Sequence, residues 1–126
     1  MPLHDHAAID VKRSEFVRLT FVDGLVAEFP LAPLRLACPC ADCNARRRDG
    51  RPVSTAAETD PDGVAIATAS MAGAWGLNLD WADGHTTGIY SFERLREWAD
   101  IAEAGEPLVE CRLSRIDPAE LGRSGN

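Results

Sequence analysis

No apolar run in this chain approaches the length of a membrane-spanning helix. The amino terminus, Met1-Pro2-Leu3-His4-Asp5-His6, lacks the basic stretch and following hydrophobic stretch of a secretory signal. Both absences lead to the expectation of a cytoplasmic protein with no membrane partner. Positive charge is in deficit. Thirteen Lys and Arg face 20 Asp and Glu, a net charge of −7. That balance argues against general nucleic-acid binding, which needs a basic footprint. The sequence has no G-x-x-x-x-G-K-[ST] phosphate loop and no G-x-S-x-G nucleophile elbow. Asp80, Asp83 and His85 are close in sequence, but no nucleophile is paired with them. No catalytic residue is assigned, and no enzyme is expected.

What is present reads as an ordinary globular chain. It has 126 residues, 45% hydrophobic and 26% charged, which fits one domain over 1–126. The core is expected over about 9–113, with loose tails at 1–8 and 120–126. Val17, Leu19 and Phe21 alternate with Arg18 and Thr20, the period of a half-buried strand. Asp23-Gly24 and the run Leu25 to Phe29 complete a hairpin, read as a two-residue type I′ turn. Leu31 to Ala37 predicts a short helix, with Pro33 in its first turn. Residues 44–63 read as a long loop holding Arg46-Arg47-Arg48 and Arg51, with a helical turn at 53–58.

Val64 to Thr68 predicts a strand and Met71 to Gly76 a bend. Leu77, Leu79 and Trp81 alternate with Asn78 and Asp80. Asp83-Gly84 then forms a second hairpin turn, and His85 to Tyr90 returns. Ser91 is placed to cap a helix whose apolar face is Phe92, Leu95, Trp98 and Ala99, ended by Gly105. Leu108 to Leu113 is a last strand containing Cys111. Trp75, Trp81 and Trp98 are assigned to the core.

The two halves echo each other. Leu19, Phe21, Asp23, Gly24 and Phe29 match Leu79, Trp81, Asp83, Gly84 and Ile89 at a constant offset of 60. Each hairpin leads to a helix carrying Leu-Arg, at Leu34-Arg35 and Leu95-Arg96. The fold class that follows is α+β, two β-hairpin-helix units packed as one small domain around a metal site.

The metal reading comes from Cys38-Pro39-Cys40-Ala41-Asp42-Cys43. Three of four cysteines fall within six residues, and one of three histidines, His85, sits at the second hairpin turn. In a reducing compartment such thiols are metal ligands or redox groups, not disulfides. Three thiolates and an imidazole make a closed tetrahedral set for zinc, so Cys38, Cys40, Cys43 and His85 are the candidate ligands. An iron–sulfur cluster is the alternative cofactor. With a two-residue turn, Ala82 pairs with His85 and Leu79 with Gly88, which turns His85 away from the apolar face of Leu79 and Trp81. Cys111 reads as a buried strand cysteine, and His4 and His6 as tail residues.

Leu34-Arg35, the cysteine cluster and Trp81 to Ser91 with Leu95-Arg96 resemble the gamma-butyrobetaine-hydroxylase-like N-terminal domain, a family formerly catalogued as a domain of unknown function. The resemblance covers about Ile9 to Leu113. In the gamma-butyrobetaine and trimethyllysine hydroxylases such a domain precedes the oxygenase. In the former it binds zinc through three cysteines and a histidine, which implies Cys38, Cys40, Cys43 and His85 here. Related domains are also fused to P-loop iron–sulfur carriers. This sequence has no His-x-Asp motif with a distant histidine for oxygenase iron, so the hydroxylase activity is not carried over. The expected function is a non-enzymatic zinc-binding accessory or interaction domain with a protein partner. The alternative is iron–sulfur delivery or thiol redox sensing.

Overall fold

The computed structural model describes residues 6–85 and 88–117. It is an α+β arrangement of two antiparallel sheets. The first unit is β1 (His6–Lys12), β2 (Phe16–Phe21), β3 (Leu25–Pro30) and helix α1 (Leu31–Leu36). The second is β4 (Ile66–Ala72), β5 (Gly76–Trp81), β6 (Gly88–Ser91) and helix α4 (Phe92–Glu103). Between them lie α2 (Ala41–Arg48), α3 (Thr55–Thr59) and a 3-10 turn at Pro61–Gly63. A final strand, β7 (Arg112–Arg115), joins the first sheet beside β3, giving the order β1-β2-β3-β7 against β4-β5-β6.

The echo in the sequence is a real structural repeat, and it is larger than a hairpin. Ile9 pairs with Leu19 and Val11 with Val17. Ala69 pairs with Leu79 and Met71 with Leu77. The same irregularity recurs in both first strands, between His6 and Ala8 and between Ile66 and Thr68. Each unit is therefore three strands and a helix. The constant offset fails beyond the second turn: Phe29 pairs with Val17, and Tyr90, not Ile89, pairs with Leu77. One extra residue has entered the second hairpin after its turn. Ile89 accordingly faces out, whereas Phe29 and Tyr90 are fully buried.

The core follows the alternation read from sequence. Val17, Leu19 and Phe21 from β2 and Leu77, Leu79 and Trp81 from β5 are buried, with Phe92, Leu95, Trp98 and Ala99 from α4. Tyr90 stacks edge-on against Trp98 at 6.2 Å, and its hydroxyl donates to Leu34 O at 2.8 Å, tying the second sheet to the first helix. Ser91 caps α4 by accepting the Arg94 N–H at 3.0 Å, and Gly105 turns the chain away with φ +101°.

Several expectations need correction. Trp75 is 57% exposed at the β4–β5 turn, because it lies outside the alternating stretch that faces the core. The strand through Cys111 begins one residue after it, at Arg112, where pairing with Glu28 starts. The stretch 44–63 is largely helical, so it is no long loop, and His6 to Ala8 belong to β1 instead of a loose tail. Both Asp-Gly turns also differ in type. Gly24 and Gly84 have positive φ (92° and 96°), but neither aspartate does. In each, the glycine N–H donates to the residue three back, Phe21 O or Trp81 O, at 3.0 Å. This is a type I turn closed by a left-handed glycine, the three-residue hairpin loop.

Candidate metal centre

The cysteine cluster sits where two helices meet. Pro39 keeps the chain extended after α1 ends, and the Cys38 N–H still donates to Arg35 O at 3.2 Å. Cys40 is the N-cap of α2, and its sulfur accepts the Cys43 N–H at 3.4 Å. An N-cap residue and the third helical residue face each other across the first turn. The C-x-x-C spacing therefore delivers Cys40 and Cys43 together, while Cys38 arrives from the end of α1. Asp42 in the first turn and Arg46, Arg47 and Arg48 in the last complement the dipole of α2.

His85 comes from the other unit. At the hairpin tip the Trp81 N–H donates to His85 O at 2.8 Å. Trp81 thus lies opposite His85, where a two-residue turn would have placed Thr86. A one-residue change of register exchanges the faces of a strand, so His85 lies on the Trp81 side, toward the core. This overturns the expectation that it turns away from the face of Leu79 and Trp81. It occupies the position that buried Leu25 holds in the first hairpin.

The four side chains converge. His85 Nε2 lies 3.2 Å from Cys38 Sγ, 3.6 Å from Cys40 Sγ and 3.6 Å from Cys43 Sγ. All four candidate ligand atoms are within 4.8 Å of one another. Ordinary zinc bond lengths of about 2.3 Å to sulfur and about 2.0 Å to nitrogen put tetrahedral vertices about 3.5 to 3.8 Å apart. The residues present fit a single ion. Cys38 and Cys43 are buried, and Cys40 and His85 are partly exposed. Cys111 stands outside this group.

Burial favours the neutral forms of these groups. Burial pushes the Cys38 thiol up to about 12. It raises the Cys43 thiol as well, against the pull of Arg35. Burial lowers the pKa of His85, favouring the neutral ring that ligates metals. Without a metal these are neutral groups, and a bound divalent ion converts such thiols to thiolates.

Sequence reasoning left several supporting residues unassigned. Arg35 lies between Cys43 and Asp83. Arg47 reaches back to the cysteine loop, donating to Leu36 O at 2.7 Å and Cys38 O at 2.6 Å. Asn44 donates to Pro39 O at 3.0 Å. The charge gradient from Asp42 to Arg48 was the available signal for the helix that carries Asn44 and Arg47. Those arginines are also less available to a partner than a bare loop implies: Arg46 pairs with Asp42 and Arg51 with Asp49.

A family model described as gamma-butyrobetaine hydroxylase-like, N-terminal, matches residues 10–96. The chain belongs to this family. No curated protein matches it. Among solved structures it is similar to a protein of unknown function of the DUF971 family from Acidithiobacillus ferrooxidans. That likeness has a TM-score of 0.58 and 23% identity, over 77% of this chain and 94% of that one. A solution structure determined by NMR matches with a TM-score of 0.52 and 24% identity, over 82% of this chain and 86% of that one. These likenesses concern the fold.

Proposed function

We propose that this family member is a non-enzymatic zinc-binding domain, held together by one structural ion on Cys38, Cys40, Cys43 and His85. The observation that carries the reading is the spacing of the four ligand atoms, all mutually within 4.8 Å. A single tetrahedral ion fits that spacing, whereas a two-iron cluster divides its ligands between two metals and spreads them. Three thiolates and an imidazole complete the shell of zinc, leaving no open position for a substrate or an activated water. The domain then serves as an accessory or interaction module for a protein partner, in the cytoplasm, where thiols stay reduced.

The test is purification without chelator under anaerobic conditions, followed by elemental analysis and a visible spectrum. The expected product is colourless and carries one zinc per chain. A brown protein containing iron and acid-labile sulfide would favour cluster delivery and overturn this reading.

A further inference from the structure

We infer that Arg35 is a positioning residue of the metal site, joining the cysteine cluster to the histidine hairpin through one buried guanidinium. The inference rests on the metal reading above. Arg35 lies on α1 and is 4% exposed. Its Nη1 donates toward Cys43 Sγ at 3.7 Å, and its Nε donates to Asp83 Oδ2 at 3.1 Å. The other oxygen of Asp83, Oδ1, accepts the backbone N–H of His85 at 3.1 Å. Ser54 Oγ donates to Oδ2 at 3.2 Å and steadies the carboxylate. One line of contacts therefore runs from a sulfur ligand through Arg35 and Asp83 to the backbone of the nitrogen ligand.

The chemistry requires arginine in particular. A planar guanidinium offers donors in a fixed fork, so Nε and Nη1 can serve two acceptors in set directions. A buried guanidinium that loses its acceptors is costly, which makes its seat depend on both Cys43 and Asp83. When a metal makes the Cys43 sulfur anionic, the N–H to sulfur contact becomes charge-assisted and stronger. Partners of this kind orient ligands and hold metal affinity.

The second unit supplies the control. Arg96 holds the matching place on α4, 6% exposed. It donates to both oxygens of Asp23 at 2.8 Å and to Asp100 at 2.9 Å. The helical position matching Cys38 is Ala99, so this arginine braces a junction without ligands.

The experiment compares the wild type with Arg35→Met, Arg35→Lys and Arg96→Met, each loaded with Zn2+ or Co2+. The rate of zinc release to a chromogenic chelator and the thiolate-to-cobalt absorption band are read. Arg35→Met is expected to release zinc about 10- to 100-fold faster and to weaken the cobalt band. Arg35→Lys should fall between, since an ammonium keeps the charge but serves the two acceptors poorly. Arg96→Met should stay within about threefold of wild type in release rate while losing thermal stability. Equal acceleration by Arg35→Met and Arg96→Met would overturn the inference, as would a wild-type rate in Arg35→Met. If Arg35→Met does not fold, Arg35→Lys decides: faster release supports the inference and a wild-type rate overturns it. A wild type that takes up neither metal would overturn the metal reading itself, a result distinct from either of these.

Discussion

Two junctions hold the halves of this domain together, and they differ at a few atoms. In each, an arginine from the helix of one unit reaches the turn aspartate of the other: Arg35 to Asp83 and Arg96 to Asp23. In each, that aspartate accepts the N–H of the residue two ahead, His85 or Leu25. At the first junction the meeting residues are His85 and Cys38, joined by Cys40 and Cys43. At the second the matching positions are Leu25 and Ala99, both fully buried in the shared core. One plan of crossed arginine–aspartate pairs is thus closed once with candidate ligands and once with hydrocarbon. The segments after the helices differ accordingly. The chain beyond α4 returns as β7 to extend the first sheet, whereas the chain beyond α1 becomes the cysteine loop and α2. An ion at the first junction would do the joining that strand pairing does at the other.

The two junctions should differ most where a candidate ligand is removed. Cys43→Ala, or His85→Ala, should abolish stoichiometric metal and cost more than about 4 kcal/mol, because binding energy at a structural site is folding energy. Metal analysis with urea unfolding reads both. Leu25→Ala, at the matching place in the other junction, should cost about 2 to 5 kcal/mol as a core cavity. Its metal content should remain that of the wild type. If Leu25→Ala sheds metal too, the two junctions are not independent.

Acid weakens the second junction more gently. The Arg96 hydrogen bond, opposed by partial burial, holds the Asp23 carboxyl down to about 2, against 3.8 for the free group. A carboxyl depressed in the folded state stabilises above its unfolded pKa and loses that contribution as pH falls. The contribution of Asp23 is therefore complete above about pH 4 and fades between about pH 4 and 2. Asp23→Asn should be less stable than wild type at pH 7, with the gap narrowing over that window in thermal melts. A gap of constant size would show that the charge of Asp23 is not what Arg96 uses. The smallest effect belongs to Cys111→Ser. It should leave metal content unchanged and alter stability by less than about 1 kcal/mol. Metal loss in that variant would place Cys111 at the site.

Much of this is legible in the amino-acid sequence. The alternation in β2 and β5, the Ser91 cap, the Gly105 stop and the cysteine cluster are local signals, each carried by a few neighbouring residues. The parts that were not legible depend on counting across a turn or on contacts between distant elements. An Asp-Gly pair announces a hairpin but not whether two or three residues make its loop, and that single residue decides which way His85 faces. Helix α2 was hidden because cysteine is an unusual N-cap and the arginines read as loop. The crossed arginine–aspartate pairs join residues 48 and 73 positions apart, which no local pattern encodes. The strand read over Val64 to Thr68 overlaps β4, but its place in the repeat was not legible, because β1 and β4 share register but almost no residues.

The claim that one ion closes the first junction is tested most directly by X-ray absorption at the metal edge of the purified protein. The expected spectrum has three sulfur scatterers at about 2.3 Å and one nitrogen at about 2.0 Å around a single zinc, with no second metal nearby. A metal–metal scattering path, or a shell of oxygen and nitrogen without sulfur, would contradict it.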